Sequence, residues 1–390
     1  ATAVAATSAT LNGSGNPNRA ATTGWFRYST TNPGTCDDVF GSRAPAAGGS
    51  ARGSGAAAVA FSQPIAGLSA GTTYYFCAIA SNAEGTAFGA VLSFTTLAAP
   101  TVTTTAATLV TSSSATLNGN ANPNGATATG WFRYSTANPG ACSDAFGTRA
   151  PAAGGSALGA GLSAVAYAQA IAGLTPATTY YFCAIASNAY GNSYGAVLSF
   201  TTPAAAPTVT TNSATLLTGS TAQLNGSANP GGDATTGWYR YSTVSPGSCN
   251  DSFGTRAPVA GGTALGSGTT SVAFPQAIAG LTPGTTYYVC AIASNGVGTG
   301  LGAIVTFITP AAPTVITAAA TLITSSSATL NGSGNPNRAA TTGYYRYSTI
   351  DPGACNDTFG SRAPAAGGSA LGSGGASVAF AQSISGLSAG

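Results

Sequence analysis

The chain has 390 residues, a formal net charge of +3 and only 5% charged residues, far below the quarter or so of an ordinary soluble domain. It has no His, no Lys and no Met, and its 11 basic residues are all Arg. These absences exclude Ser–His–Asp and Cys–His mechanisms, His-ligated metals, Schiff bases and the P-loop, and so small a charge is no footprint for nucleic acid or an anionic membrane.

Read in chain order, the sequence shows strand signals and no 3.6-residue periodicity. The candidates are SATLNGSG (8–15), TTGWFRYST (22–30), AVAFSQPIAGL (58–68), TTYYFCAIAS (72–81) and AVLSFTT (90–96), after which PTVTTTA (100–106) opens a second round. Gly, Thr, Ser and Pro punctuate them every 8 to 12 residues. Some seven short strands in about 100 residues predict an antiparallel sandwich. Hydrophobic residues make up 44% of the chain, enough to bury cores. No run of about 18 apolar residues occurs, so no membrane span is expected. The opening ATAVAATSATLNG lacks a basic n-region and an apolar h-region, so no signal peptide is expected in this stretch.

The second round repeats the first. GWFRYST at 24–30 returns at 130–136, as GWYRYST at 237–243 and as GYYRYST at 343–349, in steps of 106, 107 and 106 residues. Such a period is too long for a solenoid unit and fits a string of ordinary-sized domains. The predicted domains are 1–98 (its first strand missing), 99–204, 205–310 and 311–390 (ending before its last two strands). Both ends thus cut through a repeat, which predicts a section of a longer chain. The rival expectation is a neighbouring chain that supplies the missing strands by β-addition. Residues 8–24 and 327–343 are identical, which suggests a higher-order unit of three domains. The linkers TTLAAPTVTT, TTPAAAPTVTT and TPAAPTVIT are short and Pro-containing, and predict a semi-rigid rod of roughly 30–40 Å per domain.

The repeat resembles the bacterial variety of the fibronectin type III domain. The resemblance rests on APTVTT…SATLNG…NPNG, on the G-W-F-R-Y-S-T strand, and on Leu174-Thr175-Pro176 through Asn188 followed by F-T-T, and it covers essentially the whole chain. It implies an all-β tandem array of antiparallel sandwiches, with Tyr74, Tyr180 and Tyr287 at the family's tyrosine corner. Three features depart from it: Leu11 where many animal members carry Trp, a Cys pair, and a long segment over roughly 31–57. No Arg-Gly-Asp is present, so the animal adhesive motif is not carried over. The family pattern places Tyr74, Phe76, Ala78 and Ala80 in the core, with Phe26 and Tyr28. Alternation then puts Trp25, Arg27, Tyr75, Cys77 and Ile79 on the outer face, which is too apolar to be left wet.

The seven cysteines follow the repeat. Cys36–Cys77, Cys142–Cys183 and Cys249–Cys290 are each 41 residues apart, and Cys355 would pair with a position beyond the sequence given. One disulfide within each domain is expected, clipping the 31–57 segment over the outer face and stabilising by roughly 4 kcal/mol. Intermolecular bridges along a filament are the alternative. Phe40, Ala44 and Pro45 are expected to pack onto Trp25, Tyr75 and Ile79 as a second small core. The alternative for Trp25 is a subunit interface or a glycan platform.

Asp38, Asp144, Asp251 and Asp357 recur two residues after Cys. One Asp per repeat is thin for calcium. A structural ion pair or turn cap is expected with Arg27 or Arg43, Arg133 or Arg149, Arg240 or Arg256, and Arg346 or Arg362. Arg27 beside Trp25 suggests a cation–π contact. Asp37-Asp38 is confined to one repeat and is discounted as a glycosidase pair. Five N-x-[ST] sequons occur, at Asn12, Asn225, Asn250, Asn331 and Asn356, and this composition makes such matches frequent by chance.

No catalytic residue, metal or cofactor is implied. Regular disulfides point to an oxidising, extracellular setting. The leading expectation is a non-enzymatic structural protein that builds or decorates a bacterial surface filament, with copies of itself as partners. The alternatives are an adhesin stalk or module binding a glycan or cell surface, and a spacer array of a larger secreted enzyme.

Overall fold

The computed structural model describes residues 1–389. They form two compact units, Ala1–Pro203 and Ala204–Gly390. Among the described residues there is no helix, and every strand pairing is antiparallel.

In the first unit, the second repeat carries the full strand set. One sheet runs in the order Val165–Ala172, Ser114–Asn122, Thr101–Thr108. The other is built on two long strands, Ala128–Ser135 and Thr179–Asn188. Thr148–Ala150 and Ser156–Gly159 pair with the free edge of the former. Gly191–Tyr194 and Leu198–Thr201 pair with the latter.

Period-2 alternation explains why these segments become strands and which way they face. In Ser114–Asn122, residues Ala115, Leu117, Gly119 and Ala121 are buried, and the residues between them are half-buried. Their buried side faces Phe132, Tyr167, Phe182 and Ala184 in the main core. In the second sheet, Phe132 lies opposite Ala184, Trp131 opposite Ile185 and Arg133 opposite Cys183. Cross-strand partners share a face, so Phe132 and Ala184 enter the core while Trp131, Cys183 and Ile185 point away from it.

Two glycines let the backbone come close. A Cβ on Gly119 would lie 2.8 Å from the Ala184 Cβ across the core. A Cβ on Gly195 would lie 2.4 Å from Thr104 Oγ1. The first strand is tied in at that point, because Ala184 N–H donates to Thr104 Oγ1 at 3.0 Å and Gly195 N–H donates to Ala184 O at 2.9 Å.

The first repeat builds the same second sheet on Thr22–Ser29 and Thr73–Asn82. Its first sheet pairs Ser8–Gly15 with Val59–Ala66, and Thr2 adds an isolated bridge to Thr10. In the second unit, the third repeat repeats the full pattern. The fourth shows the sheet Thr314–Thr321, Ser327–Asn335, Val378–Ser385 and two short two-stranded pairs.

The linkers are bound by asparagines rather than left free. Asn188 Nδ2 donates to Ala98 O at 2.8 Å and to Pro123 O at 2.9 Å, and Asn124 Nδ2 donates to Ala99 O at 2.6 Å. The second unit repeats this with Asn295 to Ala205 O and Asn337 to Ala312 O.

The 31–57 segment differs from the sequence-based expectation. It contains two short strands, Ser42–Ala44 and Ser50–Gly53, that hydrogen-bond to Thr22–Ser29. Ala44 therefore sits opposite Phe26 and packs into the main core, not onto the outer face with Phe40. The hairpin strand Gly85–Phe88 is likewise absent from the expected set.

Candidate functional site

The outer face of the second sheet carries a second covered cluster in each of the first three repeats. Trp25, Cys77 and Ile79 form a second buried cluster there, covered by Cys36, Phe40 and Val91. The same cluster recurs as Trp131, Cys183 and Ile185, and as Trp238, Cys290 and Ile292. Tyr75 is half-buried and stands outside it.

Three bonds pin the cover. Cys36 is joined to Cys77, Cys142 to Cys183 and Cys249 to Cys290, with Cα–Cα separations of 6.0 Å in all three. Asp38 Oδ1 accepts from Trp25 Nε1 at 2.8 Å and from Arg27 Nε at 2.9 Å. Arg27 also donates to the carbonyls of Asp38 and Gly41. One carboxylate oxygen thus satisfies the indole N–H and the guanidinium together. Asp144 takes Trp131 and Arg133 at the same distances, and Asp251 takes Trp238 and Arg240. In the fourth repeat Tyr344 replaces Trp, and Arg346 Nε meets Asp357 Oδ1 at 3.1 Å. Cys355 is exposed and has no disulfide partner among the described residues.

Burial works against the ionised forms of Asp38, Asp144 and Asp251. The arginine and tryptophan hydrogen bonds outweigh it and hold each carboxyl below the usual aspartate range. Asp357 is lowered first by the Tyr344 hydroxyl and then by Arg346.

Arg43, Arg149, Arg256 and Arg362 make no ion pair of this kind among the described residues. Each lies over the ring of the tryptophan strand: Arg43 is 4.6 Å from the Trp25 centroid, Arg149 4.7 Å from Trp131, Arg256 4.7 Å from Trp238 and Arg362 3.9 Å from Tyr344. Their guanidinium groups donate instead to backbone carbonyls, as Arg43 does to Pro45 and Gly48. The cation–π contact expected of Arg27 is therefore made by Arg43. The register gives the reason. Arg27 and Arg43 face each other across neighbouring strands. The single Asp can serve one guanidinium, and the other takes the electron-rich ring. Sequence reasoning missed this because the three-residue strand carrying Arg43 has no readable period.

The tyrosine corner is present three times. Tyr74 OH accepts from Ser69 N–H, Tyr180 OH from Thr175 N–H and Tyr287 OH from Thr282 N–H, each at 2.9 Å. With a three-stranded sheet facing a second sheet edged by a short extra strand, this matches the fibronectin type III plan. The fold is fibronectin type III-like. No family model and no curated protein matches the chain. Among solved structures it is similar to the chicken CNTN1 FN1–FN3 domains, with 14% identity, 78% of this chain and 95% of that chain covered, and a TM-score of 0.26. That overlap adds nothing to what the strand order already shows. Among the described residues, no helix is long and apolar enough to cross a membrane. Among the described residues, no group of three or more His, Cys, Asp or Glu is placed to hold a metal ion.

Proposed function

We propose that the chain is a non-enzymatic, extracellular structural protein whose repeats build or decorate a bacterial surface filament. One observation carries the reading: the same covalent and ionic lock, Cys–Cys plus Trp–Asp–Arg, closes the outer face of three successive repeats. A disulfide closing so long a loop makes the unfolded chain less favourable and belongs to an oxidising compartment. Repeating it in each unit suits an array that must resist unfolding and proteolysis. The domain boundaries 1–98, 99–204, 205–310 and 311–390 are part of the proposal, as is a partner for Cys355 outside the sequence given.

The burial of Trp25, Trp131 and Trp238 under their covers supports a structural role over a glycan platform, since a stacked ligand needs an open ring. Low charge supports lateral association of copies, because neighbouring chains repel weakly. Electron microscopy of the native cell-surface material tests the proposal. The expected result is an ordered assembly with symmetric contacts burying well over about 1,000 Å² between chains. Dispersed monomers that bind a defined saccharide would instead favour the adhesin alternative, and a catalytic domain on the same chain would favour the spacer array.

A further inference from the structure

Five Asn-x-Ser/Thr triplets occur in the chain, and the structure sorts them into two classes. Asn12, Asn225 and Asn331 lie inside paired strands. Their amide nitrogens are already committed. Asn225 Nδ2 donates to Ser213 O and Thr215 Oγ1, Asn331 Nδ2 to Ala319 O and Thr321 Oγ1, and Asn12 Nδ2 to Thr2 Oγ1. None of the three bonds the hydroxyl two residues on. Asn250 and Asn356 lie instead in the cover loop, outside any strand; Asn250 Nδ2 has one long bond, 3.3 Å to Ser248 O, against the two of Asn225 and of Asn331 to strand partners at 2.9 and 3.0 Å. Asn250 Oδ1 accepts from Ser252 N–H at 2.9 Å and Ser252 Oγ at 2.7 Å, and Asn356 Oδ1 accepts from Thr358 N–H at 2.9 Å and Thr358 Oγ1 at 2.7 Å. The intervening Asp251 and Asp357 are turned to their arginines, which leaves the loop's outer side to Ser252 and Thr358, both exposed.

The four copies of this turn sharpen the point. The first two hold it with Asp37 and Ser143, followed two residues later by Val39 and Ala145. An asparagine makes the turn only where a hydroxyl follows at the second position. Neither the turn nor the lock requires that coincidence.

We propose that Asn250 and Asn356 are acceptors for asparagine-linked glycosylation, and that Asn12, Asn225 and Asn331 are not. The donor class is a diphosphate-activated sugar, lipid- or nucleotide-linked, delivered by a glycosyltransferase. Nδ2 gives up one proton to a base of that enzyme, and its electron pair forms a bond to the sugar C1. The C1–O bond to the diphosphate breaks, and the diphosphate leaves with that electron pair. The hydroxyl donating to Oδ1 stabilises the carboxamide as its nitrogen loses the proton. A glycan here stands on a turn pinned by the neighbouring Cys249–Cys290 bridge, at the surface where such modification is tolerated.

The test is peptide mapping by mass spectrometry of the natural chain from its source, with and without enzymatic release that converts glycosylated Asn to Asp. The expected result is sugar on the peptides holding Asn250 and Asn356, and none on those holding Asn225, Asn331 or Asn12. Unmodified Asn250 and Asn356 peptides overturn the proposal, as does sugar on the strand asparagines or attachment through Ser252 or Thr358 oxygen. In a chain carrying Ser252→Ala, sugar at residue 250 should be lost while that at 356 remains. Mapping the Cys249–Cys290 bridge in the same sample verifies that the repeat has folded. Retained sugar at residue 250 in that chain also overturns the proposal.

Discussion

Arg27 and Arg43 lie directly opposite one another on adjacent antiparallel strands, and the two guanidinium groups part company. Arg27 takes the Asp38 carboxylate at 2.9 Å, and Arg43 takes the face of Trp25. Two like charges on one face would repel. Here one anion and one aromatic ring absorb them, and both partners also fasten the cover. The same division recurs in the other three repeats.

The two arginines should therefore respond differently to substitution. Asp144→Ala leaves Trp131 Nε1 and Arg133 without their shared acceptor and is expected to cost about 1–2 kcal/mol, the low end for a charged hydrogen bond because the Asp144 side chain is 37% exposed. Arg149→Ala removes a cation–π contact worth about 0.5–1 kcal/mol. Urea titration of the intact chain followed by tryptophan fluorescence measures both. An Arg149→Ala loss larger than that of Asp144→Ala would contradict this division of roles.

Removing a bridge should cost more than either. Cys142 and Cys183 enclose a loop with a sequence separation of 41, and the Cys142→Ser, Cys183→Ser pair is expected to lower the stability of that repeat by about 4 kcal/mol in the chain-entropy account. Calorimetry under oxidising conditions should show one transition moving down while those of the other bridged repeats stay. A transition that does not move would show that the bridge adds no stability.

Acid should loosen the cover. The folded carboxyls of Asp38, Asp144 and Asp251 lie below their ordinary value. Their contribution is therefore fully present above the unfolded value near about 4 and is lost as pH falls through the folded one. Stability should be flat from about pH 7 to 5 and decline below about 4, with a shallower decline in a chain carrying Asp→Asn at all three positions. An equally steep decline in that chain would assign the acid sensitivity elsewhere. At the alkaline end the sign reverses. Burial raises the Tyr167 and Tyr239 hydroxyls, which donate to Ile185 O and Phe274 O. Their contribution is present below the unfolded tyrosine value near about 10 and is lost as pH rises through the folded one.

Backbone contact at Gly195 leaves no room for a methyl group. A Cβ there would lie 2.4 Å from Thr104 Oγ1 and 2.7 Å from Thr104 N, so relief requires the first strand to shift and give up its bond to Ala184 N–H. Gly195→Ala is expected to destabilise by about 2 kcal/mol or more. Hydrogen exchange should show lost protection at Ala184 N–H first. Gly140→Ala meets nothing within 4 Å, and its cost is confined to the backbone conformation at φ 74° or so of the equivalent Gly34 and 72° at Gly140 itself.

Much of this molecule could be read before any coordinates. Long strands carry their own period, so Ser8–Gly15, Thr22–Ser29 and Thr73–Asn82 were legible, with the division of Phe26 and Phe76 from Trp25 and Ile79. The recurring GWFRYST and TTYYFCAIASN blocks revealed the tandem order, because each repeat must rebuild the same two faces. The three-residue strand Ser42–Ala44 was not legible. So short a segment has no period, and its place depends on the edge offered by Thr22–Ser29. Ala44 goes to the main core and Arg43 to the Trp25 ring for that reason alone.

Local alternation and repetition by themselves determined an all-strand tandem array and the inside and outside of its long strands, since both follow from a period of two along the chain. Only the tertiary structure decided which arginine meets Asp38, which ring the other covers and which asparagines lie in the cover-loop turn rather than in a paired strand. Those choices depend on register between segments distant in sequence, and no local pattern records that register.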